Sequence, residues 1–333
     1  MRSLFTKQEA RTVSSKGFDL AYKCSSDLNA EEVDRLRNLY TEVYGEKIGK
    51  SALITALSAG LTSAWNWKFN CEGRRPAEIV LAYHSSRLVG HAAVLPHKAV
   101  VMGEESYIGQ GLDSMIAPDH QKQGLFVEMS RFLYQQLSPD ISLMYAFPNN
   151  NNYTPRIRLG WKPIYEIPWY EKEVRACESS SRVSVVEAID GRLDALWQRA
   201  STRFSCALAR NVDYLNWRFL NNPLEDYRIV VATNGDSIEG YAVWKKYFGQ
   251  GQIVDTIAID IETQVDLLSS VENILDKEGV RSLAMFVPRD WVLLKAAISS
   301  GMKPVSKGTY LMTYPGAVYP AGLYVQMADN DIF

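Results

Sequence analysis

Between residues 30 and 44 the apolar positions Val33, Leu36, Leu39, Tyr40 and Val43 recur at helical spacing. Asn29 stands before them as a cap, and Glu31 and Glu32 place negative charge in the first turn, so an amphipathic helix is predicted. The period then shortens. Ala77 to Tyr83 and Leu88 to Val101 are β-rich runs joined by the polar turn His84-Ser85-Ser86-Arg87, a hairpin, and Tyr107 to Ala117 predicts another strand. After Pro118 and a polar loop, Leu125, Phe126, Met129, Phe132, Leu133 and Leu137 share a helical face, and Ile141 to Phe147 is a short buried strand. The ending recurs downstream: Ile253 to Ile259 as a strand, Val265, Leu268, Val271 and Leu275 on a helix, Ser282 to Val287 as a strand.

That recurrence is an internal repeat. Asn66-Trp67-Lys68-Phe69 returns as Asn216-Trp217-Arg218-Phe219 at an offset of 150, and Ile79-Val80-Leu81-Ala82, Gly90 and Ala92 return in the same register as Ile229-Val230-Val231-Ala232, Gly240 and Ala242. Farther on, Leu112-Asp113 aligns with Val254-Asp255, and Gly160-Trp161-Lys162-Pro163 with Gly301-Met302-Lys303-Pro304. The expectation is an α/β chain in which two copies of one unit each carry a mixed α+β sheet. The boundary falls in the charged, Ser-rich stretch from Glu171 to Arg182, giving domains 1–175 and 183–333.

Composition narrows the class. With 333 residues, 47% apolar and 22% charged, the chain is long enough for two globular domains and excludes disorder, collagen and coiled coil. A formal charge of -2 supplies no global attraction for nucleic acid or an anionic membrane. The first residues lack an apolar core, and the longest apolar stretch, Ala52 to Leu61, is broken and too short to span a bilayer, so a soluble, cytoplasmic protein is expected. Cys24, Cys71, Cys177 and Cys206 lie far apart without CxxC spacing, and the four histidines show no ligand spacing. Neither a disulfide framework nor a metal site is expected.

Chemistry concentrates at the junction Ile116-Ala117-Pro118-Asp119-His120-Gln121-Lys122-Gln123-Gly124-Leu125-Phe126. A strand entering a helix through a Gly-containing loop aims unpaired N–H groups at one spot, with the helix dipole behind them and Lys122 adding a cation. A diphosphate fits there. Gln121-Lys122-Gln123-Gly124 resembles the Gln/Arg-x-x-Gly core of the acyl-CoA loop of the GNAT (GCN5-related N-acetyltransferase) superfamily. Asn149, followed 11 residues later by Gly160-Trp161, resembles that family's second segment, where a short helix packs along the pantetheine arm. The resemblance covers nearly the whole chain as a tandem GNAT protein. It implies acyl-CoA as co-substrate, bound by Met115, Ile116, Gln121, Lys122, Gln123, Gly124, Leu125, Phe126, Asn149 and Asn152. It departs from the pattern at Phe126, where Gly or Ala is usual, and at Arg156, where many members carry an acid-catalyst Tyr. Tyr153 is the nearest substitute, a packing role being the alternative. The second copy has Ile259-Asp260-Ile261-Glu262 in place of the loop, acidic and without Gly, so one acyl-CoA site per chain is expected.

Acyl transfer from a thioester to an amine needs a neutral amine, a stabilised oxyanion and a released thiolate. The resemblance implies an oxyanion donor in the backbone near Ser114 to Ile116, with Met115 at its centre; one such donor contributes about 2.7–4 kcal/mol. Asp113 and Gln110 lie on the same strand. Asp113 is the candidate general base, although its recurrence as Asp255 fits a structural carboxylate equally, and Gln110 is a candidate acceptor contact. Trp67, Lys68, Trp217 and Arg218 place rings beside cations, which suits a sugar and a phosphate, while repetition suits a shared packing role. The tail from Tyr314 to Phe333, with Asp329 and Asp331, covers the cleft or frays. With Phe147-Pro148-Asn149 after the fifth strand and an Asn-Trp-Lys/Arg-Phe segment in each half, the tandem chain resembles sugar N-acyltransferases of surface-polysaccharide pathways, which implies N-acylation of a nucleotide-linked amino sugar, such as a dTDP-3-amino-3,6-dideoxyhexose, by acetyl-CoA or 3-hydroxybutyryl-CoA. A Fem-like transferase using aminoacyl-tRNA and a non-catalytic GNAT-like binding protein are the alternatives.

Overall fold

The computed structural model describes residues 12–45, 55–57, 59–60, 62–314 and 323–330. Half of the interrupted run Ala52 to Leu61, the chain start and Asp331 lie outside the described residues. The chain forms two compact units, one from Met1–Ala99, Glu105–Ile164 and Leu311–Val318, the other from Val100–Glu104, Tyr165–Tyr310 and Tyr319–Phe333.

The first unit opens with a hairpin, β1 (Thr12–Ser15) and β2 (Phe18–Cys24), turned at Lys16-Gly17, both left-handed. Helix α1 (Ala30–Tyr44) follows, capped as expected: the Asn29 side chain accepts from the Glu32 N–H, and Glu32 reaches back to the Asn29 N–H. After α2 (Thr62–Phe69) come β3 (Glu78–His84), β4 (Arg87–Val101) and β5 (Glu104–Ile116), then α3 (Leu125–Gln136), β6 (Ile141–Ala146) and α4 (Asn150–Arg158). The strand order is β1-β2-β3-β4-β5-β6, antiparallel where β1 meets β2, β2 meets β3 and β3 meets β4, and parallel between β5 and β6. Leu20, Ile79, Val80, Leu81, Met129 and Leu133 are among its buried side chains. Gly90 permits the close approach of α3: a Cβ there would stand 2.7 Å from the Met129 sulfur.

β7 (Lys162–Glu173) and β8 (Val183–Val186) lead into the second copy. It contains α5 (Arg192–Ser201), β9 (Cys206–Leu208), α6 (Val212–Leu215) widening into a π-turn at Asn216–Leu220, then β10 (Arg228–Asn234), β11 (Ser237–Tyr247) and β12 (Gln250–Ala258). α7 (Ile261–Lys277), β13 (Ser282–Phe286), α8 (Trp291–Ser299), β14 (Lys303–Tyr314) and β15 (Leu323–Tyr324) close the chain. The repeat is physical: Gly240 lies against Leu267 of α7 as Gly90 lies against Met129. β12 and β13 are parallel like β5 and β6. Val230, Ala242, Leu267, Leu268, Val271 and Leu283 lie in one buried apolar cluster of the second unit.

The two units do not follow the contiguous halves 1–175 and 183–333. Residues 169–173 of β7 pair with β13 in the second unit, and residues 312–314 of β14 pair with β6 in the first. β7 and β14 are each 12 residues long, about twice the length of β6 or β13, so only one end of each is needed beside those short strands. The tail neither frays nor remains apart where it is described. β15 pairs with β9, and the turn Met327–Asp329 is buried in the second unit.

Candidate functional site

β5 and β6 share a parallel register from Tyr107↔Ile141 to Gln110↔Tyr145, where pairing stops. β6 ends one residue later at Ala146 while β5 continues to Ile116, so the last six residues of β5 run on past β6 and leave an open edge, a wedge, beside them. Gln110 is the last paired residue. Its Oε1 accepts from His97 Nε2 at 3.1 Å, while His97 Nδ1 faces an Arg74 NH2 at 3.1 Å. A guanidinium only donates, so Nδ1 accepts and His97 is the Nε2–H tautomer.

Beyond β5 the turn Pro118–His120 leads into the loop. Lys122 and Gly124 are both left-handed, with φ of 62° and 80°, and Gly124 begins α3 with no side-chain cap. Among the described residues, no protein acceptor meets the backbone N–H groups of residues 122–126. Alternation of left- and right-handed residues at a helix start turns successive N–H groups to one side, which makes an anion cradle. The Gln121 and Gln123 side chains shape it: Gln121 Nε2 donates to Ile116 O and Gln123 Nε2 to Asp119 O, both at 3.1 Å. A Cβ on Gly124 would meet nothing within 4 Å, so glycine serves the left-handed turn and the space outside stays open.

Nearby acids are already neutralised. Glu128, in the first turn of α3, accepts from Lys16 Nζ at 2.8 Å and Ser15 Oγ at 3.1 Å. The Lys16 bond is the main cause holding its carboxyl below the ordinary range. Asp119 accepts from Arg87 at 2.7 Å and from His120 Nδ1 at 2.7 Å, and these bonds bring it down to about 2. The second copy solves the same helix start differently. There the Asp260 carboxylate accepts from the Thr263 N–H at 2.8 Å, so α7 carries its own anion where α3 carries none.

On the other side of the wedge, Asn149 caps α4, its Oδ1 accepting from the N–H groups of Asn151 at 2.9 Å and Asn152 at 3.2 Å. The Asn152 Oδ1 is buried without a hydrogen-bond partner among the described residues. Tyr153 is half-buried one turn before Arg156. Arg156, 3% exposed, was read from sequence only as a missing tyrosine. Its NH2 donates to Gly111 O of the parted β5 at 3.3 Å, and its guanidinium lies 4.5 Å from the Trp161 ring and 5.8 Å from Phe126. Phe126 therefore joins the loop to the wedge, which a glycine there would not.

Asp113 is buried. Its Oδ2 lies 2.8 Å from Lys68 Nζ and accepts from the Tyr40 hydroxyl, and its carbonyl accepts from His91 Nδ1 at 2.9 Å. Burial would raise the carboxyl, but the Lys68 charge and the bonds from Lys68 and Tyr40 outweigh it and hold it below its ordinary value. Burial depresses His91, which is neutral and donates from Nδ1. Lys68, 4% exposed, thus serves Asp113. In the second unit the matching Arg218 donates to Ala328 O at 2.9 Å and Asn330 O at 3.3 Å, anchoring the described tail, with Trp217 buried beside it. Both cations have internal partners, and Trp67 is half-buried. Tyr40 and His91 carry no sequence signal, because Tyr40 reads as one more apolar position of α1 and a lone histidine has no spacing; His97, which after Pro96 reads as a surface histidine or one facing the acceptor, is buried.

No protein-family model matches the chain, and no curated protein matches it. Solved structures do. A GCN5-related N-acetyltransferase from Anabaena variabilis matches with a TM-score of 0.65 and 14% identity over 88% of this chain and 72% of that one. The chain has the GNAT fold. A candidate acetyltransferase from Pyrococcus horikoshii matches with a TM-score of 0.60 and 13% identity, covering 96% of both chains. Saccharomyces cerevisiae N-myristoyltransferase, solved with bound myristoyl-CoA, matches with a TM-score of 0.61 and 10% identity over 94% of this chain and 86% of that one. At these identities the likeness establishes the fold. Among the described residues, no three metal-ligating side chains converge, and no helix is long and apolar enough to cross a membrane.

Proposed function

We propose that the first unit is an acyl-CoA-dependent N-acyltransferase centre. The observation that carries this reading is the uncapped start of α3, where five successive N–H groups without protein acceptors lie beside the wedge between β5 and β6. In this reading the cradle of residues 122–126 holds the diphosphate, Lys122 adds charge, and the pantetheine arm enters the wedge along Asn149 and Asn152. The thioester then lies against the backbone of Met115 and Ile116. A neutral amine attacks its carbonyl carbon, the oxygen gains charge facing backbone N–H groups, the nitrogen, cationic after attack, gives a proton to solvent water, and collapse restores the carbonyl and breaks the C–S bond to release the thiolate. Tyr153 is the proposed proton donor to that sulfur and Gln110 an acceptor contact. The acceptor proposed is the amine of a nucleotide-linked amino sugar, on the resemblance of the loop and of the Asn-Trp-Lys/Arg-Phe segments. The second copy, with Asp260 at the matching helix start, contributes no diphosphate site.

The test is melting temperature with acetyl-CoA and with 3-hydroxybutyryl-CoA. Wild type gains several degrees at ligand well above its dissociation constant, by mass action. Gly124→Glu, which strains the left-handed turn and adds negative charge to the cradle, gains none. Equal shifts in both proteins would place the ligand elsewhere, and no shift at millimolar concentration would sink the reading. With binding secured, thiol release in the presence of nucleotide-linked amino sugars tests the acceptor.

A further inference from the structure

Asp113 differs in one backbone property from every other described residue within a strand. It has φ of 46°, the left-handed region that an L residue with a side chain adopts at a cost; the other non-glycine residues with positive φ lie in turns and loops. Three elements hold it there. Lys68 of α2 and Tyr40 of α1 fasten the carboxylate, and His91 of β4 fastens the carbonyl of the same residue. The left-handed residue comes three positions after β5 leaves β6 and one position before Ser114. The repeat bends the same strand by another route. Opposite Asp255 the register of β11 on β12 slips between Val243 and Trp244, Asp255 keeps an ordinary φ, and Arg210 and Tyr241 hold its carboxylate. A carboxylate marks the bend in both copies, but only the copy with the open cradle carries the left-handed turn.

We propose that Asp113 is a positioning residue, fastened by Lys68, Tyr40 and His91 so that its left-handed backbone aims the N–H groups of residues 114–116 that do not face β4 into the wedge, toward the thioester oxygen. A single left-handed residue re-aims the peptides that follow it, as a bulge does. The carboxylate is then the handle by which the helices hold the strand, and a residue that favours the left-handed region replaces it. This inference rests on the acyl-CoA reading for its ligand and on the backbone alone for its geometry, and the two can fail separately.

The experiment uses the full chain, wild type as the reference and Lys68→Met in every variant at 113, so that none of those variants leaves a buried ammonium unpaired. In that background Asp113→Gly and Asp113→Asn are compared with Asp113→Val and the milder Asp113→Ala. The readout is the infrared carbonyl stretch of acetyl-CoA labelled with carbon-13 at the thioester, and CoA affinity is measured alongside. Wild type, Gly and Asn lower the stretch relative to free acetyl-CoA. Val and Ala leave it near the free value, while CoA affinity stays within about threefold across the series because the cradle is intact. A Val variant that keeps the lowered stretch overturns the proposal, and so does a Gly variant that loses it as fully as Val. Should CoA fail to bind wild type, the acyl-CoA reading falls alone. Amide hydrogen exchange of residues 114–116 in the ligand-free protein then decides the backbone claim: fast exchange as in wild type retained in Gly and slowed in Ala and Val supports it, and equal exchange throughout refutes it.

Discussion

Lys68 is a cation that water barely reaches, and its charge is tolerated because Asp113 stands 2.8 Å away. A buried pair contributes little against apolar replacement, yet removing one partner strands the other. Lys68→Met alone is expected to cost about 3–5 kcal/mol in urea melts. Adding Asp113→Asn should recover much of that loss. The sign with pH follows from Asp113, whose folded value lies below the ordinary 3.8. The stability it contributes is present above 3.8 and lost as pH falls through the lower folded value, so the gap between wild type and Lys68→Met should close in acid. A gap independent of pH would show that Lys68 acts through packing. Sequence placed Lys68 and Asp113 as separate candidates because they are 45 residues apart; their pairing is a property of the folded unit. Asn29 was legible as a cap because capping is local.

At the scale of elements, the starts of α3 and α7 are one design with opposite electrostatic occupancy. Asp260 fills the second with a covalently attached carboxylate, whereas Gly124 leaves the first open. Asp260→Ala should cost about 1 kcal/mol in denaturant melts by removing the cap, and should leave any acetyl-CoA-induced shift unchanged. A reduced shift would assign the second unit a part in binding. The helix and strand periods announced most elements, including α1 with its cap. The hairpin of β1 and β2 was missed although Phe18, Leu20 and Tyr22 alternate, because charged residues interrupt the run and the Lys16-Gly17 turn is a weak signal beside Asn-Gly. Arg156 shows the limit from the other direction: the residue is plain in the sequence, but its bond to Gly111 is made where β5 runs on past its last pairing with β6.

Across the whole chain, the repeat was legible because Gly90 and Gly240 answer the same packing demand, while membership of β7 and β14 in the units was not. Strand periodicity states that a segment is extended and leaves open which sheet it joins. The described tail gives the second unit a titration of its own. Asp255 and Asp329 share the buried Arg210, at 3.4 and 2.5 Å, and two carboxylates with one guanidinium leave a net negative charge away from water. Burial is the main cause that raises Asp255 to about 6, with Asp329 adding repulsion against the opposing pull of Arg210. The folded value exceeds the ordinary 3.8, so the neutral acid favours the fold. Its contribution is complete below 3.8 and is lost as pH rises through about 6, at most about 3 kcal/mol. Asp255→Asn cannot ionise. Melting temperatures of wild type and Asp255→Asn should therefore converge or cross as pH rises from 4 to 7, the wild type losing its relative advantage; parallel curves would place the proton on another group of the network.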